Sequence, residues 1–418
     1  MNQKQFWGVI LLKLFGNYNF KENILKVLQI NSFGNLSTGR IATDIYRTLR
    51  DNGHDGMVAY GRGKIPNDVP AVRIGSRRSI FIDGVMTRLT DRAGFFSVGP
   101  TTQLIKKIKE YDPDIIHLHN LHGYYLNIEI LFNYLKESGK PVVWTLHDCW
   151  AFTGHCAYFD FAGCQKWLTN CCNCPQKHDY PASMFLDKSE NNFHRKKELF
   201  LDIDNFVIVT PSKWLAKLVD RSFLQSYPVK VIHNGVDLKM FKPTYGNWIK
   251  NHNLEDKKII LGVAGKWSNR KGLLDLIKMS IHLPDDYKVV IVGVDDEQQK
   301  NLPPNILGIK RTYDTAELAE IYTAAYVLVN PTYEDNFPNV NLESLATGTP
   351  VITYNTGGSP EVINGKNGCV VPKGNIEGLF QAVIDNNFSS DEALKSSKIY
   401  AREKSYTEYL NLYKGIIS

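Results

Sequence analysis

No apolar run in this sequence approaches the roughly 18 to 20 residues that a membrane-spanning helix requires, so the chain is not expected to cross a bilayer. The nearest candidate, FWGVILLKLFG from Phe6 to Gly16, is interrupted by Lys13 and followed by no small-residue cleavage site. That pattern argues against a secretory signal and for an ordinary extension or a surface-lying anchor. Low-complexity tracts and short repeats are missing too. Charged residues make up 22% against 43% hydrophobic, which excludes disordered, collagen-like and coiled-coil chains. Excess charge is small: 49 Lys and Arg against 43 Asp and Glu give +6. Such a surplus fits phosphate-bearing ligands or an anionic membrane surface and does not demand nucleic acid. Cysteine is scarce outside one place, since six of the seven lie between Cys149 and Cys174 and Cys369 stands apart. Without a signal peptide, that cluster reads as metal binding or as reduced thiols in the cytosol.

What is present is an alternation of strand-length apolar runs with segments of helical period, the βαβ pattern that builds parallel sheets. With 418 residues, two or three domains are expected. One series begins at Leu25–Ile30 and continues through Met57–Tyr60, Asp114–His119, Pro141–His147, Phe206–Thr210 and Val229–Ile232. A second runs through Lys258–Val263, Lys288–Gly293, Ile306–Lys310, Tyr326–Asn330 and Pro350–Tyr354. The division that follows is an extension over 1–23, a first doubly wound domain over 24–235 with a Cys-rich loop at 149–180, and a polar linker over 236–257. A second doubly wound domain fills 258–390. The Tyr-rich segment 391–418 has helical spacing and no partner strand, so it should pack back across the boundary.

Open parallel sheets bind ligands beyond the carboxyl ends of their strands. In the second domain the first strand runs into GKWSNRKG, which sets Lys266, Arg270 and Lys271 beside a helix N-terminus. Cations beside exposed N–H groups suit a diphosphate, although a solvated basic turn has the same composition. The fourth strand ends in NPTYEDNFPNVNLESLATGTPVI, placing Glu334 and Asp335 at a strand end and Glu343 in an otherwise apolar helix. A carboxylate there is costly without a partner and can accept two vicinal hydroxyls, as of a ribose. The competing reading is an acidic capping turn.

These segments are similar to the retaining glycosyltransferases of family 4, which have the two-domain GT-B fold. STGRIA, HLHNLHGYYLN, WTLHDCWAFTGHC and EDNFPNVNLESLATGTPVI together resemble the colanic-acid-type polysaccharide transferases of bacteria within that family. Two departures stand out: Asp335 replaces the usual Glu, and Lys266 replaces the more common Arg. The resemblance implies transfer of a sugar from a UDP- or GDP-linked donor to a hydroxyl with retention, without a catalytic metal. Lys266, Lys271 and helix amides would stabilise the leaving diphosphate. Glu343 would hold the ribose, Asp335 with the amides of Asn336 and Phe337 the hexose, and Arg311 would flank the base. Gly39 would approach the phosphate from the first domain. His119 and His147 end neighbouring strands, where a lone His is more often structural; the family pattern favours His147, oriented by Asp148. The implied acceptor is a lipid-linked saccharide of a capsule or exopolysaccharide, with the enzyme in the cytoplasm or peripheral at the inner face of the membrane.

Cys156, Cys164, Cys171 and Cys174 end in a Cys-x-x-Cys pair and have the ligand number of a closed tetrahedral zinc site, structural in role. Two disulfides or free thiols are the other readings. Basic residues of the first domain, Arg73, Arg77, Arg78, Arg88, Arg92, Lys106, Lys107 and Lys109, fit an anionic lipid surface and equally a scatter of solvated charge. Competing functions are a sugar-nucleotide epimerase of the same architecture and a zinc-stiffened, non-enzymatic module for nucleic acid. No run of aromatics interleaved with Lys or Arg supports the last of these.

Overall fold

The computed structural model describes residues 24–36, 38–310, 312 and 314–418, so the 1–23 extension and Arg311 lie outside the described residues. The first sheet has seven strands: β1 (Lys26–Phe33), β2 (Asp55–Arg62), β3 (Ala71–Arg73), β4 (Ile115–Leu118), β5 (Val142–Thr145), β6 (Phe206–Thr210) and β7 (Val229–Val231). The second has six: β8 (Lys258–Val263), β9 (Tyr287–Val292), β10 (Ile306–Ile309), β11 (Val327–Asn330), β12 (Val351–Tyr354) and β13 (Gly368–Val371). Every ladder is parallel, in the orders β3-β2-β1-β4-β5-β6-β7 and β10-β9-β8-β11-β12-β13. Helices cover both faces of a parallel sheet, so its central strands must be apolar throughout. Accordingly β4, β5, β11 and β12 are buried at every position.

The expected strands are all present, within one to three residues at their ends. Two were not anticipated. β3 has only three residues, none buried, and β13 is the four-residue GCVV, too short for a periodic signal. The 236–257 stretch is more ordered than its composition implies. Val236, Phe241, Trp248 and Leu254 are buried in the second domain's core beside Leu261 and Tyr322.

The chain returns as expected. Val236 bridges Ala401, and the Arg402–Ile417 helix packs Tyr406, Tyr409, Leu410 and Tyr413 into the first domain against Val27, Ile41, Ile45 and Val143. Burying each such ring contributes about 1.5–3 kcal/mol before entropy is counted, so this helix fastens the lobes from outside.

Candidate functional site

Each sheet reverses its strand order once, at β1/β4 in the first domain and β8/β11 in the second. Those switch points face one another across a crevice with two ends. The larger end, about 470 Å³, is lined by Val263, Ala264 and Gly265 after β8, by Asn330 and Asp335–Val340 after β11, and by Thr38, Asn120, His147 and Asp148 from the first domain. The other, about 350 Å³, holds Arg40, Glu343 and Arg402. Both ends share Ile41, Asn234 and Asn339.

On the second domain, Lys271 ends a short 3-10 turn, Asn269–Lys271, and its ammonium pairs with the Asp335 carboxylate. The Asn339–Ala346 helix begins after Pro338 with no side chain capping it and no acidic residue in its first turn. Its first N–H groups therefore present uncompensated positive dipole ends to the crevice. The loop before it is held by close backbone contact. At Gly357, where φ is +55°, a Cβ would lie 1.6 Å from the Asp335 carbonyl. Phe337 borders the crevice and its ring packs against His233. Glu343 is half-buried and accepts a 3.0 Å hydrogen bond from the Tyr322 hydroxyl; burial raises its carboxyl above the usual range. Lys266 stands exposed beside Gly265 at the rim.

On the first domain, Gly39 opens the Thr38–Asp51 helix so close to β1 that a Cβ would lie 2.5 Å from the Phe33 carbonyl. His119 and His147 do come together, with ring nitrogens 3.1 Å apart. Burial lowers both imidazoles, His147 to about 4, so both are neutral near pH 7. Asp148 does not orient His147 by a hydrogen bond. Its carboxylate accepts from the Trp150 amide at 3.0 Å and meets His122 at 2.8 Å. The cause is local: the chain turns after His147, so successive side chains diverge and His122 lies nearer.

The Cys-rich loop also departs from expectation. Among the described residues no three His, Cys, Asp or Glu side chains are set to hold a metal ion, and all seven cysteines are free thiols. Cys156, Cys164, Cys171 and Cys174 line one small cavity without forming the tetrahedral set. Instead the neighbouring Cys156 and Cys174 thiols shift in opposite directions, Cys156 upward and Cys174 down to about 7, and the Gly154 amide donates to Cys171 at 3.2 Å. Stiffness comes from elsewhere. The buried Lys196 donates to the carbonyls of Trp150 and Thr153 at 2.7 and 3.0 Å, and His155 pairs with the buried Asp91.

Two residues beyond the expected set, Glu334 and Arg40, matter at the crevice, and Asn336, expected through its amide, acts through its side chain. Glu334 is buried, and its Oε1 accepts from the Asp160 amide at 2.5 Å, so the Cys-rich loop reaches across to the second domain. Asn336 bridges the lobes as well, donating to the His147 carbonyl at 3.0 Å and accepting from the Ser212 hydroxyl at 2.6 Å. Arg40 faces Glu343 across the smaller end. The sequence signal for Arg40 was its place one residue after Gly39 at a helix start.

Residues 38–240 match the family model described as Glycosyltransferase Family 4, and residues 257–386 match Glycosyl transferases group 1. The chain is similar to the Escherichia coli K12 protein named as the colanic acid biosynthesis glycosyl transferase WcaC, at 24% identity over 399 residues covering 90% of this chain and 96% of that one. Its fold resembles the sucrose-phosphate synthase of Thermosynechococcus elongatus, with TM-score 0.68 and 17% identity over 94% of this chain and 99% of that one. It also resembles the Anabaena protein Alr3699/HepE, solved in complex with UDP-glucose, with TM-score 0.64 and 13% identity over 94% and 100% of the two chains.

Proposed function

Because the chain belongs to glycosyltransferase family 4 and has the GT-B fold, we propose that it is a retaining transferase moving a sugar from a nucleotide-diphosphate donor to a hydroxyl of a growing, lipid-linked surface polysaccharide. The observation that carries this reading is one crevice in which the Lys271–Asp335 pair and an uncapped helix start face the neutral imidazole of His147, backed by that of His119. Residues 258–390 form the donor side and residues 24–235 the acceptor side.

The diphosphate lies between Gly39 and the amides of Asn339 and Val340, with Lys271 and Lys266 beside it. The nucleoside takes the end holding Arg40 and Glu343, and the hexose takes the end holding Asp335, Asn336 and His147. As the anomeric C–O bond breaks, negative charge grows on the phosphate oxygen, where fixed N–H groups and ammonium cations meet it without reorganising. The acceptor hydroxyl attacks from the face being vacated, its proton passes to the departing phosphate oxygen, and the nucleoside diphosphate leaves. The carboxylates at the hexose end support this route, because each is already engaged: Asp335 with Lys271, Asp148 with His122 and the Trp150 amide. Neither is a free nucleophile.

Thermal-shift titration with UDP- and GDP-sugars tests the donor class, since saturation at 100 times Kd stabilises by about 2.7 kcal/mol. UDP-sugars come first, given the Anabaena neighbour solved with UDP-glucose. Lys271→Ala is expected to lower transfer about 100- to 1000-fold, the loss typical of one charge-stabilising donor. Transfer at the wild-type rate by that variant, or an inverted anomeric centre in the product by NMR, would sink the reading.

A further inference from the structure

The Arg77–Thr90 helix is inside out. Its buried residues are Asp83, Gly84 and Thr87, while Phe81, Ile82, Val85, Met86 and Leu89 stand exposed, Phe81 to 72%. These five recur at helical spacing, so the outward face is a continuous apolar stripe and not a scatter of single side chains. Beside it the Met184 amide donates to the Arg88 carbonyl at 2.7 Å, and the Ser183 hydroxyl donates to the Leu186 carbonyl at 2.6 Å. Those bonds hold Met184, Phe185 and Leu186 exposed against the end of the helix, extending the stripe. Apolar surface left in water favours whatever partner covers it.

Charge identifies that partner. Arg77, Arg78, Arg88 and Arg92 are exposed on this helix and just beyond it. The acids of the same segment are withdrawn. Asp83 and Asp91 are each 1% exposed, the first bonded by Ser97 and Thr87, the second by His155 and the Lys188 amide. The outward face thus joins large apolar side chains to arginines with no carboxylate among them. An anionic bilayer surface matches both parts, since apolar side chains enter the acyl boundary while guanidinium groups meet lipid phosphates.

A chain of contacts leads from this patch to the crevice. Arg88 lies 5.7 Å over the Tyr124 ring, which meets Tyr180; the Tyr180 hydroxyl is 3.0 Å from His122, and His122 bonds Asp148 at the hexose end. We infer that the Arg77–Thr90 helix, with residues 184–186, docks the protein on an anionic lipid surface and turns the acceptor side of the crevice toward it. The inference deepens the transferase reading by naming where a lipid-linked acceptor arrives.

Co-sedimentation with vesicles of phosphatidylglycerol and phosphatidylcholine, in the absence of donor and acceptor, tests the docking apart from the chemistry. Wild-type protein is expected to sediment with mixed vesicles and little with phosphatidylcholine alone. A Phe81→Ser, Ile82→Ser double variant is expected to lose the binding while keeping its melting temperature, because both side chains stand mostly in water. Arg77→Gln and Arg78→Gln are each expected to weaken it about fivefold, one cation's share at an anionic surface. Undiminished sedimentation of the Ser variant overturns the proposal. So does a wild-type dimer that the substitutions split without changing vesicle binding, which would make this face a self-contact. If docking holds and no nucleotide sugar binds, the transferase reading is the one that fails.

Discussion

The Nδ1 of His119 lies 3.1 Å from the Nε2 of His147, and this contact fixes where each ring carries its proton. Gln29 donates through Nε2 to the Ala42 carbonyl, so its Oε1 faces the Nε2 of His119 at 3.0 Å and can only accept. His119 is therefore protonated on Nε2 and accepts on Nδ1. That forces His147 to donate from Nε2 and leaves its Nδ1 lone pair as an acceptor for a sugar hydroxyl at the crevice. Replacing His147 with Phe removes the acceptor and retains a ring. Losing one such bond in a shielded site costs about 1–3 kcal/mol, roughly a 5- to 150-fold fall in kcat. Nucleotide affinity by calorimetry should barely change, since the nucleoside occupies the other end. An equal loss in nucleotide affinity would show that the assignment of the two ends is wrong.

The same histidines shape stability against pH. His117 sits between the Tyr413 hydroxyl at 2.6 Å and the Thr145 hydroxyl at 2.8 Å, and burial holds it, His119 and His147 below their ordinary 6.5. Below that value the unfolded chain binds protons that the folded chain refuses. Stability from these groups is thus complete above pH 6.5 and falls as pH drops toward the lowered values, about 4 for His147. Asp83, raised to about 6 by burial, acts in the opposite direction, so a difference measurement is needed. Urea unfolding at about pH 5 and pH 7 should show a smaller change for His119→Gln than for wild type, by up to about 1.4 kcal/mol per pH unit. Identical slopes would mean that His119 titrates normally.

At the nucleoside end, Glu343 and Tyr322 form a pair whose members have different tasks. Glu343 is proposed to touch the ribose, whereas Tyr322 only aims its carboxylate through the 3.0 Å bond. Steady-state kinetics should separate them. Glu343→Ala removes a charged acceptor and is expected to raise the donor KM by an order of magnitude or more, about 1.5–3 kcal/mol. Tyr322→Phe should raise KM only severalfold with kcat intact, the pattern of lost uniform binding. A Tyr322→Phe enzyme that loses kcat instead would show that Glu343 acts on the reaction and not merely on the ribose.

How much of this was legible depends on what each residue faces. The inner strands could be placed because a strand buried on both sides is apolar at each position, as Val351–Tyr354 is. The Arg77–Thr90 helix was hidden for the converse reason: its apolar residues point outward and its buried ones include an Asp and a Thr, so periodicity inverts. The crevice residues Lys271, Asp335 and Glu343 could be located from strand ends. The partner of Asp148 could not, because His122 reaches it from a separate strand end, 26 positions away. Adjacency along the chain made His147 look like the partner. The cysteine spacing carried a ligand count but no information on Lys196, whose buried ammonium group ties that loop by two carbonyl bonds.

Glu334 shows most directly how the Cys-rich loop serves the crevice. Its Oε1 accepts from the amides of Asp160 and Phe161 at 2.5 and 3.4 Å, and around that point Lys373 pairs with Asp160 at 3.0 Å, Phe161 meets Tyr333 and Arg270 covers Tyr158. Surface ion pairs of this kind contribute little singly, whereas a buried carboxylate bonded to amides contributes about 1.5–3 kcal/mol. Glu334 is thus the centre of the latch, and Lys373 its rim. Glu334→Ala should free the loop from the second domain while both sheets stay folded. Limited proteolysis would then cut within 149–180 several times faster than in wild type, and Lys373→Ala would change the rate little. Cleavage in Glu334→Ala at the wild-type rate would mean that the loop holds its position through contacts within its own domain, and that the lobes are joined there by the Asn336 bridge, by Glu361 accepting from the Lys213 and Trp214 amides, and by the returning helix.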